Sequence, residues 1–232
     1  FLGVAPMLMY LADRREVDEI DGLGWWPKAA TLDYFQKHHD GKLPPGIYRT
    51  LTPGAADAWF TALAEFGTMS FADVAEAAIR LAHDGFPMYR FLAAGVQASP
   101  QLYSAAATTK PVYLPHGHPP RKGEMFHQKD LAATLRELVS IEADHRKHGR
   151  AAALKAARDF VYKGELARRI VAYCQSEGGL MTLEDLGAYH VRRDPPARVD
   201  YRGYEVFCTG AWGQGPVFRQ ALKTVEGFDL RA

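Results

Sequence analysis

The sequence predicts an α+β or layered α/β fold from three features: strand-like segments near both ends, helical periodicity between them, and a core-forming composition. Met7 to Leu11 is an apolar run, Asp13-Arg14-Arg15 is turn-like, and Val17 and Ile20 lie on the return, so this segment reads as a hairpin. Ala197 to Tyr201 and Tyr204 to Cys208 flank Arg202-Gly203 and read as a second hairpin. Apolar residues make up 47% and charged residues 24% of 232 residues, enough to bury a core and unlike a disordered chain. The strands are expected to be completed by sequence outside this chain.

Between the hairpins the signals are mostly helical. After Pro53-Gly54, Trp59, Phe60 and Leu63 recur at helical spacing until Gly67. Ser70 followed by Asp73 forms a capping box for a helix ending near Asp84-Gly85. The Pro- and Gly-rich stretch from Ala105 to Gly123 reads as an ordered loop. Leu131, Leu135 and Leu138 make one stripe, closed by His145, Arg146, Lys147 and His148, cations suited to the negative end of a helix. Leu154 to Val161 and Leu166 to Cys174 give two more helices. Thr182 with Asp185 caps a short one, and a last amphipathic helix runs from about Val217 to Val225.

A net charge of +1 gives no nucleic-acid footprint and no polybasic membrane patch. No apolar run approaches the roughly 20 residues of a bilayer span. Phe1 to Pro6 lacks the pattern of an intact signal peptide and an initiator Met, so a processed or partly observed product is expected, and a periplasmic or a cytoplasmic setting stays open. Cys174 and Cys208 read as buried free thiols.

Self-contained chemistry is missing. There is no Gly-Lys-Ser/Thr phosphate loop, no Gly-x-Ser-x-Gly elbow, and Gly210, Gly213 and Gly215 do not fit a dinucleotide fingerprint. His116 and His118 sit in a proline loop without acidic or cysteine partners at ligand spacing; His38-His39-Asp40-Gly41 reads as a polar turn; no metal and no cofactor is expected. The acidic run Glu16, Asp18, Glu19, Asp21 reads as a solvated strand face. Trp25-Trp26 in a Gly-rich loop either lines an apolar pocket or plugs the edge of the core, and the burial energy of large aromatics favours the core. Residue reading alone therefore yields a scaffold, a binding module, or one portion of an enzyme whose reactive group lies elsewhere.

Several stretches, in order, resemble the gamma-glutamyltranspeptidase family. They include Met7-Leu8-Met9-Tyr10, Ile20-Asp21-Gly22, Pro27-Lys28-Ala29-Ala30-Thr31, Phe66-Gly67-Thr68 and Phe71-Ala72-Asp73-Val74. Gly85-Phe86-Pro87, Gln128-Lys129-Asp130-Leu131, Tyr162-Lys163-Gly164-Glu165, Thr182-Leu183-Glu184-Asp185-Leu186, Asp200 to Val206 and Glu226 to Leu230 continue the match. The resemblance implies a layered αββα N-terminal-nucleophile hydrolase fold, with residues 1–232 an incomplete part of one large-subunit domain. It implies a self-cleaving precursor whose small subunit starts with the nucleophilic threonine, the free α-amine of that threonine serving as base. No catalytic residue is then expected in this chain. The implied partners are that small subunit and a small-molecule amide, with a higher oligomer left open and glutathione metabolism as the family setting.

One departure shapes the expected substrate. Aligned without gaps between Asp21-Gly22 and Pro27, Leu23 occupies the place of the arginine that in the family grips the glutamyl α-carboxylate, and Trp25 and Trp26 follow it. Leucine donates no hydrogen bond, and losing one partner of a buried charge pair costs about 2–5 kcal/mol. The resemblance thus implies an amidase or acyltransferase acting on a non-glutamyl acyl group, with Leu23, Trp25 and Trp26 in its pocket. The alternative is a catalytically inactive homologue that binds a small molecule or a protein. The chain made alone is expected to aggregate through apolar surface that a partner covers.

Overall fold

A computed structural model describes residues 3–230. Their contacts group into two compact units, one made of the chain up to Thr68 and from Leu154 onward, the other of Met69–Ala153.

The first unit opens with β1 (Met7–Leu11) paired antiparallel to β2 (Glu16–Ile20), in a register that sets Met7 opposite Ile20 and Leu11 opposite Glu16. Side chains on β1 alternate, Leu8 and Tyr10 facing out. The acidic return strand departs from the expected solvated face: Glu16 is exposed, but Glu19, Ile20 and Asp21 are all fully buried. Three consecutive buried residues mean that both faces of the strand end are covered, which a charged run conceals in sequence. α1 (Leu32–His39), which no periodic signal marked, is capped by Thr31, whose hydroxyl accepts from the Tyr34 N–H, and closes on Asp40 in the left-handed conformation. A single 3₁₀ turn at Ile47–Arg49 leads to α2 (Ala55–Phe66).

The second unit is built on α3 (Phe71–Asp84) packed along α7 (Lys129–His145). Between them lie β3 (Phe86–Pro87), α4 (Arg90–Ala98), α5 (Pro100–Ser104), α6 (Lys110–Tyr113) and β4 (Met125–Phe126), which pairs antiparallel to β3. The Pro- and Gly-rich stretch is thus a loop interrupted by α6, with Pro111 in the first turn, where a missing N–H costs nothing. Met88, Ala93 and Phe126 form a small core there.

The start of α3 shows where helix-end donors go. Ser70 and Asp73 complete the predicted capping box, and Glu142 of α7, nearly fully buried, accepts from the N–H groups of Phe71 at 2.8 Å and Ala72 at 3.0 Å. Glu142→Ala would remove the carboxylate that both N–H groups donate to, and a loss of roughly 2–3 kcal/mol is expected, against about 1 kcal/mol for Ser70→Ala. Denaturant midpoints of the two variants check the ranking; a smaller loss for Glu142→Ala than for Ser70→Ala would reverse it.

α8 (Arg150–Tyr162) carries the chain back into the first unit, followed by α9 (Glu165–Ser176) and α10 (Leu183–Ala188). α10 starts with the predicted Thr182–Asp185 capping box. β5 (Ala197–Tyr201) and β6 (Tyr204–Cys208) form the expected hairpin, and α11 (Gly215–Glu226) packs on it. Cys174 and Cys208 are free and buried.

Candidate substrate pocket

The loop 21–27 follows β2 and is pinned at nearly every residue. The buried Asp21 carboxylate accepts from the Arg192 backbone N–H at 3.0 Å and from Arg192 Nε at 2.9 Å, while the Asp21 N–H donates to the Arg192 carbonyl. Gly22 has a φ of 49°, and a Cβ there would run into the Ala5 carbonyl. At Gly24 a Cβ would overlap the Thr52 carbonyl oxygen, so only glycine lets the two backbones lie this close. The Thr52 N–H donates to the Trp25 carbonyl at 2.8 Å, and the Lys28 N–H to Asp185 Oδ1 at 2.9 Å.

Behind the loop stands a buried polar network. The Tyr189 hydroxyl donates to the Leu23 carbonyl at 3.0 Å. Burial first, and then the nearby Asp21 carboxylate, push that hydroxyl well above its ordinary pKa, so it stays a donor. The Tyr189 ring stacks on Tyr162, 5.6 Å between centroids, and Trp25 meets it edge-on at 5.2 Å. Arg158 Nε donates to Asp57 Oδ1, and its Nη2 donates to the Tyr189 carbonyl at 2.7 Å. Asp57 Oδ2 accepts from the Val191 N–H at 2.8 Å, and Tyr162 donates to the Pro53 carbonyl at 2.7 Å.

The three residues singled out from sequence divide. Leu23 is half-buried, and through Tyr189 the structure brings together its carbonyl and the Trp25 ring. Trp25 and Trp26 are 41% and 47% exposed, so neither is a core plug, correcting the reading that burial energy favoured; pinned backbone holds both rings at the surface. Trp26 lines an apolar cavity of about 260 Å³ with Ala30, Leu32, Phe35, Gly41 and Leu43. Neither Leu23 nor Trp25 is among its walls. Leu32, Phe35 and Leu43 escaped sequence reading because α1 was not foreseen; Thr31 followed by Asp33 was the available signal.

Glu19, near the end of β2, stands two residues before Asp21. Its Oε1 accepts from the Gly210 N–H at 3.3 Å, and among the described residues Oε2 has no partner. Burial raises its pKa above 4.5, opposed by the Gly210 bond and assisted by the Asp194 and Asp21 charges. A raised carboxyl pKa favours the folded state below about pH 4.5 and loses that advantage as pH rises through the folded value. Glu19→Gln is therefore expected to melt higher relative to the parent at pH 8 than at pH 4; a difference independent of pH would refute the shift.

Among the described residues, no group of three or more His, Cys, Asp or Glu side chains is arranged to hold a metal, and no helix is long and apolar enough to cross a membrane. His116 lines an open cavity of about 740 Å³ in the second unit, beside Pro111, Pro115 and Pro120.

The fold is shared with solved hydrolases. A cephalosporin acylase from Bacillus halodurans matches with a TM-score of 0.82 at 29% identity, covering 100% of this chain and 42% of that one. A gamma-glutamyltranspeptidase from Helicobacter pylori matches with a TM-score of 0.82 at 24% identity, covering 99% and 63%, a likeness of fold alone. The architecture is that of the layered N-terminal-nucleophile hydrolases. A family model described as gamma-glutamyltranspeptidase matches residues 3–232, and the chain belongs to that family. The glutathione hydrolase-like YwrD proenzyme of Bacillus subtilis is 30% identical over 98% of this chain and 41% of its own length. An Acylase ACY 1 proenzyme from a Pseudomonas species is 30% identical over 100% of this chain and 40% of its own. The chain spans about two fifths of the length of these curated relatives.

Proposed function

We propose that this chain is the large-subunit portion of a self-processing amidase or acyltransferase that acts on an amide with an apolar acyl group. In this reading residues 1–232 are part of the large-subunit domain, and the nucleophilic threonine and the rest of the site come from sequence beyond it. Two relatives are proenzymes, one of them named an acylase, which supports both the processing and the non-glutamyl chemistry.

The observation that carries the acyl preference is Leu23. The resemblance expects a guanidinium at that position, and none of residues 21–27 carries one; Arg192 joins this loop from outside, its backbone N–H and Nε donating to Asp21. A glutamyl α-carboxylate would enter without a bidentate partner from this loop, at a cost of about 2–5 kcal/mol. Leu23 and Trp25 instead offer apolar surface on a rigid backbone.

The test uses the product of the complete gene. Two bands on a denaturing gel without added protease are expected, with higher kcat/KM on hexanoyl-p-nitroanilide than on gamma-glutamyl-p-nitroanilide. Efficient turnover of the glutamyl compound alone would defeat the acyl preference, and a single persistent band without amidase activity would indicate a binding protein.

A further inference from the structure

The cavity beside Trp26 has a composition and a place that fit one kind of occupant. Its walls are Trp26, Ala30, Leu32, Phe35, Gly41 and Leu43, with no charged side chain among them. Three charged residues of the same segment are paired elsewhere: Lys28 with Glu184, and Asp33 with Lys37 at 2.9 Å. At about 260 Å³ it falls just below the ~300–1,000 Å³ of pockets that take a whole drug-sized ligand, so it suits one arm of a substrate.

We infer that this cavity seats the distal end of the substrate's acyl group, making medium-length unbranched acyl amides the preferred class; the inference rests on the amidase reading above. Two residues, Gly24 and Trp25, separate Leu23 from Trp26 along the chain, so their Cα atoms lie within roughly 11 Å of each other, a span on the scale of an extended eight- to ten-carbon acyl chain. The walls are held in place. Trp26 lies between the Trp25 carbonyl, bonded to Thr52, and the Lys28 N–H, bonded to Asp185. Phe35 is buried, and its carbonyl accepts from the Gly41 N–H at 2.9 Å, closing the far side. Trp26 and Leu32, 70% exposed, leave their apolar faces open at the cavity, a surface that an alkyl chain would cover. Trp25 belongs to the frame, its ring seated on Tyr189.

The experiment measures kcat/KM of the complete self-processed enzyme on acetyl-, butanoyl-, hexanoyl- and octanoyl-p-nitroanilides, with gamma-glutamyl-p-nitroanilide as reference, for the parent, Trp26→Ala and Leu32→Glu. Leu32 is largely exposed, so a glutamate there is compatible with folding. In the parent, each added methylene is expected to raise kcat/KM by up to about fourfold until the cavity is filled. Leu32→Glu is expected to lower the hexanoyl-to-acetyl ratio at least tenfold, chiefly through KM, and Trp26→Ala to lower it less. Acyl amides cleaved with a chain-length preference unchanged in both variants would overturn the cavity assignment and leave the amidase reading intact. Turnover of the glutamyl compound alone in the parent would remove both. Failure of Leu32→Glu to hold its two subunits together would assign the surface to subunit contact and overturn the proposal.

Discussion

Replacing Arg158 by methionine is expected to destabilise the folded protein by about 3–5 kcal/mol. Arg158 is 9% exposed, Asp57 1% exposed, and they are hydrogen-bonded to each other. Without the guanidinium, Asp57 stays buried with only backbone donors around it, and the Tyr189 carbonyl and His190 Nδ1 lose a donor 2.7 and 2.9 Å away. Tyr162 also loses the cation 4.8 Å above its ring. The cost arises chiefly from an orphaned charge, which the double variant Arg158→Met with Asp57→Asn separates from lost packing. Asparagine keeps an acceptor for the Val191 N–H, so the double variant is expected to be more stable than the single one. Denaturant midpoints of the product of the complete gene decide it; a single variant within 1 kcal/mol of the parent, or a double variant worse than the single, would show that the pair is not held dry.

On the proposed amidase function, Leu23→Arg is expected to raise kcat/KM for gamma-glutamyl-p-nitroanilide by roughly 30-fold or more, the equivalent of about 2 kcal/mol, and to lower turnover of hexanoyl-p-nitroanilide. The position is prepared for such a change. The backbone there is fixed by the Tyr189 hydroxyl on the Leu23 carbonyl and by the glycine approach at Gly24, so a new side chain projects from a frame that does not depend on leucine. Arg192 keeps its Nε on Asp21 in the variant, so the frame of the loop is unchanged. Steady-state kinetics on both compounds provide the readout. An unchanged glutamyl rate, with hexanoyl turnover retained, would mean that residue 23 does not face the acyl group.

Features set by neighbours in sequence were legible, and those set by distant partners were not. The capping boxes at Ser70–Asp73 and Thr182–Asp185 are written within four residues each, and both formed. The two terminal hairpins carry their own turns. Buried Glu19 and Asp21 were misread as surface because their partners, Gly210 and Arg192, stand 191 and 171 residues away. The Arg158–Asp57 pair spans 101 residues and left no local sign. α1 lacked a continuous apolar stripe, Leu32 being exposed and Phe35 its one buried residue, so the cavity beside Trp26 had no signature except the tryptophan. Residue 23 stood out only through the family resemblance, since a leucine in a loop signals nothing by itself.

The network around Arg158 also bears on how the protein is made. Asp57 is synthesised about a hundred residues before its guanidinium partner, and Tyr189 and Val191 follow some thirty later. The stretch Met69–Ala153 forms a compact unit from one continuous segment. On the ribosome that segment can settle while the two halves of the other unit are still apart, one waiting and one unmade. Closing the larger unit then means joining ends across an already ordered insert, a shorter effective loop than 101 free residues would give and a smaller entropic cost. Birth order thus favours the insert as the first piece to fold, with the buried ion pair as a late lock.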